Sequence, residues 1–215
     1  MTLSVNEIFY SIQGESTHSG RPCVFIRLAG CNLRCQYCDT TYAYDPGTEM
    51  QLPEVIEKVQ LYSCSLIEIT GGEPLLQPQT PQLISQLMTA GFEVLLETNG
   101  SLDIRPVDPK CTRIVDIKCP SSKESHQNRL DNLKYLTPRD QIKFVMSDRN
   151  DYEFAKTILS GPVAHRLTNH HILFSPVKGM LSAAVLAGWI LADHLAVRLQ
   201  VQLHTIIWPD VNRGR

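Results

Sequence analysis

The sequence predicts an α/β fold, an open and partial β/α barrel with parallel strands, on three observations. Short β-rich segments alternate with longer amphipathic ones, the pattern of parallel strands joined by right-handed helical crossovers. The 215 residues fall short of the roughly 250 that a full eight-strand barrel takes. The alternation also lapses over residues 121–139, which are polar and weakly periodic with one candidate helix near 128–136. A single domain over 1–215 is expected, with 1–22 as an N-terminal segment and 198–215 as a C-terminal strand and tail.

Strands are expected at 24–28, 67–70, 93–98, 114–118, 141–146 and 171–175, where β-branched and apolar residues run in short blocks. Pro53 opens a helix as an N1 proline, running to about Leu61, and Pro81 opens another that Gly91 closes. Residues 148–160, closed by Gly161, and 181–194 supply two more. In such folds chemistry gathers at the C-terminal ends of the strands.

Composition narrows the function. Hydrophobic residues make up 43% and charged residues 20%, with a net charge of −2, so there is no broad cationic field for nucleic acid and the expected partners are small. The longest apolar stretch, 180–192, is shorter than the roughly 18 residues of a membrane span, and no basic stub precedes an apolar run at the N-terminus. A cytoplasmic protein is expected.

Three of the seven cysteines crowd into Cys31, Cys35 and Cys38, following the first expected strand in a C-x3-C-x2-C pattern with Tyr37 just before the last. Three thiolates on one loop ligate three irons of a cubane and leave the fourth open for a ligand. The alternatives are a zinc knuckle, which takes ligands in pairs, or three unrelated cysteines. Thr70-Gly71-Gly72-Glu73-Pro74 ends the next strand; glycines let backbone approach a ligand, and a carboxylate accepts charge-assisted bonds from an ammonium. Alone, it reads equally as a plain turn. Cys23, Cys64, Cys111 and Cys119 read as small apolar packers.

The cysteine pattern resembles the signature of radical S-adenosylmethionine enzymes, and Gly71-Gly72-Glu73-Pro74 is similar to their GGEP motif. Three further stretches narrow the resemblance to the 7-carboxy-7-deazaguanine synthase family. Residues 7–16 resemble its N-terminal segment, in which Ile12, Gln13 and Gly14 touch a pterin. In Pro22-Cys23-Val24-Phe25-Ile26-Arg27-Leu28, period two puts Phe25 and Arg27 opposite Val24, Ile26 and Leu28. If that face lines the barrel, Arg27 is a buried charge that needs an anion, and a substrate carboxylate suits its planar fork. Otherwise it is an exposed arginine on an edge strand. Residues 198–204, continuing to Trp208, look like the family's C-terminal strand, with His204 facing substrate; alone, His204 reads as a surface histidine.

The resemblance implies a radical S-adenosylmethionine core and conversion of 6-carboxy-5,6,7,8-tetrahydropterin to 7-carboxy-7-deazaguanine with loss of ammonia, in queuosine biosynthesis and tRNA modification. It implies a [4Fe-4S] cluster on Cys31, Cys35 and Cys38, S-adenosylmethionine, and Mg²⁺ on Thr40. Arg27, Glu97 and His204 are the catalytic candidates, with Ile12, Gln13, Gly14 and Thr70 also on the substrate. Tyr37, Gly71, Gly72, Glu73, Asp116, Ile117, Lys118, Ser175, Pro176, Val177 and Lys178 are expected at the cofactor. A flavodoxin-like electron donor and a homodimer follow by the same likeness. Lys118-Cys119-Pro120 departs from the family's pattern, and residues 210–215 have no firm counterpart. Competing readings are a glycyl-radical activase, disfavoured by Arg27 and the Gln-Gly-Glu stretch, and a non-enzymatic iron–sulfur or zinc protein.

Overall fold

The computed structural model describes residues 1–162, 167, 171–211, 213 and 214. Its elements run β1 (Thr2–Ile12), β2 (Pro22–Leu28), β3 (Thr48–Gln51), α1 (Leu52–Gln60), β4 (Leu66–Gly71), α2 (Thr80–Thr89), β5 (Glu93–Thr98), β6 (Thr112–Asp116), β7 (Gln141–Met146), α3 (Arg149–Ser160), β8 (His171–Pro176), α4 (Ala183–Ala192), β9 (Arg198–Leu199) and α5 (Leu203–Ile207). These nine strands form one sheet in the order β3-β1-β2-β4-β5-β6-β7-β8-β9. From β2 to β9 every pairing is parallel, while β1 pairs antiparallel with β2 and β3. This is the open, partial barrel expected from the sequence.

The six expected strands are present, each within two residues of its expected limits. Gln51 and Glu54 form a capping box ahead of Pro53 in α1, satisfying orphan N–H groups at that end. Gly91, at φ +92°, takes the left-handed position after α2. Asp148 caps α3 by accepting from the Asp151 N–H. Outward-facing Val24, Ile26, Leu28, Ile67, Ile69, Val94 and Leu96 pack with α1 and α2 residues in one core cluster. Ile142, Phe144, Met146, Ile172 and Phe174 meet α3 and α4 in a second. The buried cysteines Cys23, Cys111 and Cys119 are core packers.

Two expectations are corrected. The segment 128–136 contains a 3₁₀ turn, Leu130–Tyr135, not an α-helix; Asn132 there donates to the Gly100 and Leu102 carbonyls, spending its side chain on a neighbouring loop. The C-terminal strand shrinks to two residues, and His204 sits in the first turn of α5. Beyond Leu199 the chain is held by the loop after β1: Leu203 N donates to Gly14 O at 2.9 Å, and the Gln200 and Gln202 amides donate to Glu15. Gly161 closes α3 as expected, its N–H donating to the Ile158 carbonyl at φ −75°. The strands β1 and β3 had no sequence-based expectation.

Candidate functional site

A cavity opens at the C-terminal ends of the parallel strands, walled by alternate residues that point inward: Phe25 and Arg27 of β2, Glu68 and Thr70 of β4, Glu97 of β5, Asp116 of β6, Lys143 and Val145 of β7. Parallel register sets Arg27 beside Thr70 and Asp116 beside Lys143. Two ends are distinguishable, one bearing the cysteine loop and the other the loop after β1 with α5.

At the cysteine end, Cys31, Cys35, Cys38 and Tyr37 line the cavity. Tyr37 OH donates to the Val145 carbonyl at 3.0 Å, pinning the loop to β7. Gly71 and Gly72 line the cavity too, and both positions require glycine. Gly71 has φ +149°, and a Cβ there would lie 2.2 Å from the Leu28 carbonyl oxygen; one on Gly72 would lie 2.2 Å from Gly30 O and 2.6 Å from Cys31 Cβ. The GGEP turn is thus packed directly against the start of the cysteine loop.

Glu73 lies elsewhere than expected. Its fully buried carboxylate accepts from Leu75 N at 2.9 Å, Thr98 Oγ1 at 2.8 Å and Asn99 N at 2.7 Å, and it is not among the residues lining the cavity. It ties the end of β4 to the end of β5 and so supports Gly71 and Gly72 from behind. Asn99, brought forward by the same link, has its amide 3.9 Å from Cys31 Sγ. Asp116 and Lys118 line the cavity as a 2.8 Å ion pair. Ile117 is buried in the core beneath them. Ser175, Pro176, Val177 and Lys178 do not line the cavity; Ser175 is buried beside Val145, and Lys178 is exposed.

The residues present fit a cluster and its ligand. Cys31, Cys35 and Cys38 all line the cavity, three thiols for three irons of a cubane. Asp116 Oδ1 and Ser175 Oγ are buried polar atoms without a hydrogen-bond partner. Such orphans are costly, and a polar ligand such as S-adenosylmethionine relieves that of Asp116, which lines the cavity. Thr40 lines the cavity and donates to Asp39 Oδ1 at 2.8 Å; a hydroxyl beside a carboxylate is oxygen chemistry that Mg²⁺ accepts.

Ile12, Gln13, Gly14, Arg27, Thr70, Glu97 and His204 also line the cavity, as expected. A Cβ on Gly14 would come 2.2 Å from His204 Nδ1, so glycine at 14 is what lets the histidine approach. Gln13 is locked at both ends of its amide, donating to Glu68 Oε2 and accepting from Glu15 N. Phe25 lines the cavity with Phe9 stacked on it, ring centroids 5.0 Å apart, whereas Tyr10 is exposed and packs on Tyr62.

Arg27 faces the cavity, as period two requires, but substrate is not its only available anion. Glu7 Oε1 lies 2.8 Å from its Nε, and the Phe9 and Tyr42 rings lie 5.6 and 5.7 Å from the guanidinium. The sequence reading passed over Glu7, and likewise Glu68 and Lys143. Lys143 joins Glu15 and Glu97 at 2.6 Å each. The signal for Glu68 and Lys143 was present: each stands two residues along a strand from another inward position, Thr70 and Val145 respectively.

Comparison with known proteins agrees with this geometry. The Radical SAM superfamily model matches residues 25–116, which run from β2 to β6. A 7-carboxy-7-deazaguanine synthase from Chlorobaculum tepidum is 45% identical over 99% of this chain and 97% of its own length. One from Koribacter versatilis is 42% identical over 99% of this chain and all of its own length. The crystal structure of QueE from Escherichia coli superposes with a TM-score of 0.77 at 21% identity, covering 95% of both chains, and so attests the fold. Near-complete coverage at such identity, on a cavity lined by both the cysteine triad and Arg27, places the chain in the 7-carboxy-7-deazaguanine synthase family of radical SAM proteins.

Proposed function

We propose that this chain converts 6-carboxy-5,6,7,8-tetrahydropterin to 7-carboxy-7-deazaguanine with release of ammonia, a step toward queuosine and other 7-deazapurines. The observation that carries it is that the cysteine triad and the Arg27 guanidinium line one cavity, so that a hydrogen-abstracting centre and a carboxylate clamp can address one small ligand. A [4Fe-4S] cluster held by Cys31, Cys35 and Cys38 supplies one-electron cleavage of S-adenosylmethionine when bound.

The chain's own residues bind, orient and exclude water. Gly71 and Gly72 present backbone to the cofactor, while Asp116, which lines the cavity, offers it the unsatisfied Oδ1. Arg27 keeps its planar fork for the carboxylate while Nε is held by Glu7. Gln13, Thr70, Glu97 and His204 read the polar edge of the heterocycle, and Phe25 supplies an apolar wall. Thr40 is the proposed Mg²⁺ ligand, and an ion held there would supply positive charge for the substrate carboxylate.

Among the described residues no helix is long and apolar enough to cross a membrane, and a cytoplasmic site of action is part of the proposal. So is a homodimer: α4 is nearly all apolar yet buries only Leu186 and Ile190, leaving Val185 and Leu191 exposed. A flavodoxin-like carrier is the proposed electron source. The deciding experiment is anaerobic incubation of reconstituted protein with reductant, S-adenosylmethionine and the carboxypterin. A deazaguanine product is expected, and S-adenosylmethionine cleavage with the pterin recovered intact would overturn the reading.

A further inference from the structure

Charged groups that the proposed chemistry leaves without a task meet on the cavity floor. Lys143 of β7 is only 6% exposed, and its Nζ lies 2.6 Å from Glu15 Oε2 and 2.6 Å from Glu97 Oε1. Glu15 also accepts from the amides of Gln200 at 2.7 Å and Gln202 at 2.9 Å, and Gln200 in turn accepts from Ser16 N. One ammonium therefore joins the loop after β1, the end of β5, and the segment leading to His204. Burial by itself would strip Lys143 of its proton, but the two carboxylates overturn that and hold its pKa well above the ordinary lysine value.

The floor is otherwise a set of acceptors. Glu15, Glu68 and Glu97 converge, and Lys143, with Arg27 acting on Glu68, offsets their mutual repulsion. The edge of an aminopyrimidinone ring offers adjacent N–H donors, which pair with an ionised carboxylate and not with a protonated one. Without Lys143, repulsion among the three carboxylates pushes a proton onto one of them, and a donor then stands where the ligand needs an acceptor.

We propose that Lys143 is a positioning residue that aims the Glu97 carboxylate at the N–H edge of the heterocycle, while its grip on Glu15 holds Gln13 and His204 to the same ligand. This rests on the proposed pterin substrate. Lys143 also neighbours Asp116 in the register of β6 and β7, so it touches the cofactor side through one residue and the substrate side through two segments of chain.

The test compares wild type, Lys143→Met, Lys143→Gln and Lys143→Arg as anaerobically reconstituted full-length protein. Carboxypterin affinity is measured as a function of pH, beside S-adenosylmethionine cleavage in the absence of substrate. The groups facing Lys143 that enter this profile are Glu15 from the loop, Glu68 of β4, Glu97 of β5 and Asp116 of β6, with Arg27 of β2 and His204 of α5 across the cavity. The methionine and glutamine variants are expected to cleave S-adenosylmethionine but to bind the carboxypterin weaker by on the order of tenfold or more, about 1.4 kcal/mol. Their affinity should recover as pH rises, while wild type and Lys143→Arg stay flat; a merely structural role gives no such recovery. The glutamine variant decides if the methionine variant fails to fold. Wild-type affinity in both neutral variants, or an arginine variant as weak as they are, overturns the role of Lys143 alone. A wild-type protein that does not bind the carboxypterin overturns this proposal together with the substrate reading.

Discussion

Glu7 and Arg27 are register partners across the antiparallel β1–β2 pair, and Glu7 Oε1 accepts from Arg27 Nε at 2.8 Å. The same oxygen accepts from Tyr42 OH at 3.0 Å, so the carboxylate is anchored and fixes one edge of the guanidinium. Among the described residues no acceptor takes either terminal nitrogen of Arg27. The pair is thus a clamp with one side closed and the other presented to the cavity.

From this arrangement Arg27→Ala is expected to weaken carboxypterin binding by about 2–5 kcal/mol, the cost of truncating one member of a buried charge pair. Arg27→Lys recovers part of it, because an ammonium lacks the planar fork. Glu7→Gln gives a smaller loss, since the arginine remains but is less firmly aimed. Cofactor cleavage without substrate persists in all three. Binding titrations alongside 5′-deoxyadenosine release decide the matter, and unchanged pterin affinity in Arg27→Ala sinks the clamp.

Gly72→Ala is expected to cost the protein its cluster. The added methyl would meet Gly30 O at 2.2 Å and Cys31 Cβ at 2.6 Å, neither of which is the free end of a flexible chain, so the cysteine loop must move. Iron and sulfide per chain after anaerobic reconstitution should fall well below wild type. Gly179→Ala is the control for backbone strain, since Gly179 has φ +80° but open space around its Cβ position; it should retain full iron while losing roughly 1 kcal/mol of stability. Equal iron in Gly72→Ala and wild type would show that the loop yields without consequence.

The sequence disclosed the strands that carry chemistry because each is a short apolar run with a motif at its end, and period two put Phe25 and Arg27 on one face, which the family resemblance made the inward one. It did not disclose β1 or β3. The polar Glu7 interrupts the alternation of β1 at the irregularity between Val5 and Glu7, and four residues are too few for β3 to show a period. The C-terminal strand was overread, since Arg198 to His204 alternates in sequence but its polar residues are spent on Glu15 rather than on a ladder. Glu73 was misplaced for a different reason. Its motif identifies the turn, yet which way a carboxylate points there depends on Thr98 and Asn99, residues of another strand.

Glu73→Gln is accordingly expected to destabilise the fold as well as the cofactor site. Burial raises the pKa of this carboxyl, and the N–H donors of Asn99 and Leu75 and the Thr98 hydroxyl oppose that. An amide in its place turns an NH₂ toward one of those donors and leaves a buried N–H unsatisfied, at a cost of about 1–3 kcal/mol. Thermal unfolding of the protein without S-adenosylmethionine should show the loss. An unchanged melting temperature with weakened cofactor binding would return Glu73 to direct contact with the ligand.

Glu68 supplies a pH-dependent signature. Burial first, then the Glu97 and Glu15 charges, raise its pKa well above the ordinary glutamate value of 4.5, with Lys143 and Arg27 opposing. In the unfolded chain this carboxyl ionises near 4.5, whereas in the folded protein it keeps its proton to a higher pH. Between those two values the native state holds a proton that the unfolded state has released, so the contribution of Glu68 to stability declines as pH rises through the window. For one proton the decline is at most about 1.4 kcal/mol per pH unit. Glu68→Gln retains the carbonyl that accepts from Gln13 Nε2 and has nothing to ionise. The melting temperature of the glutamine variant relative to wild type should therefore climb as pH rises above about 4.5. Parallel curves would mean that Glu68 is already ionised in the folded protein.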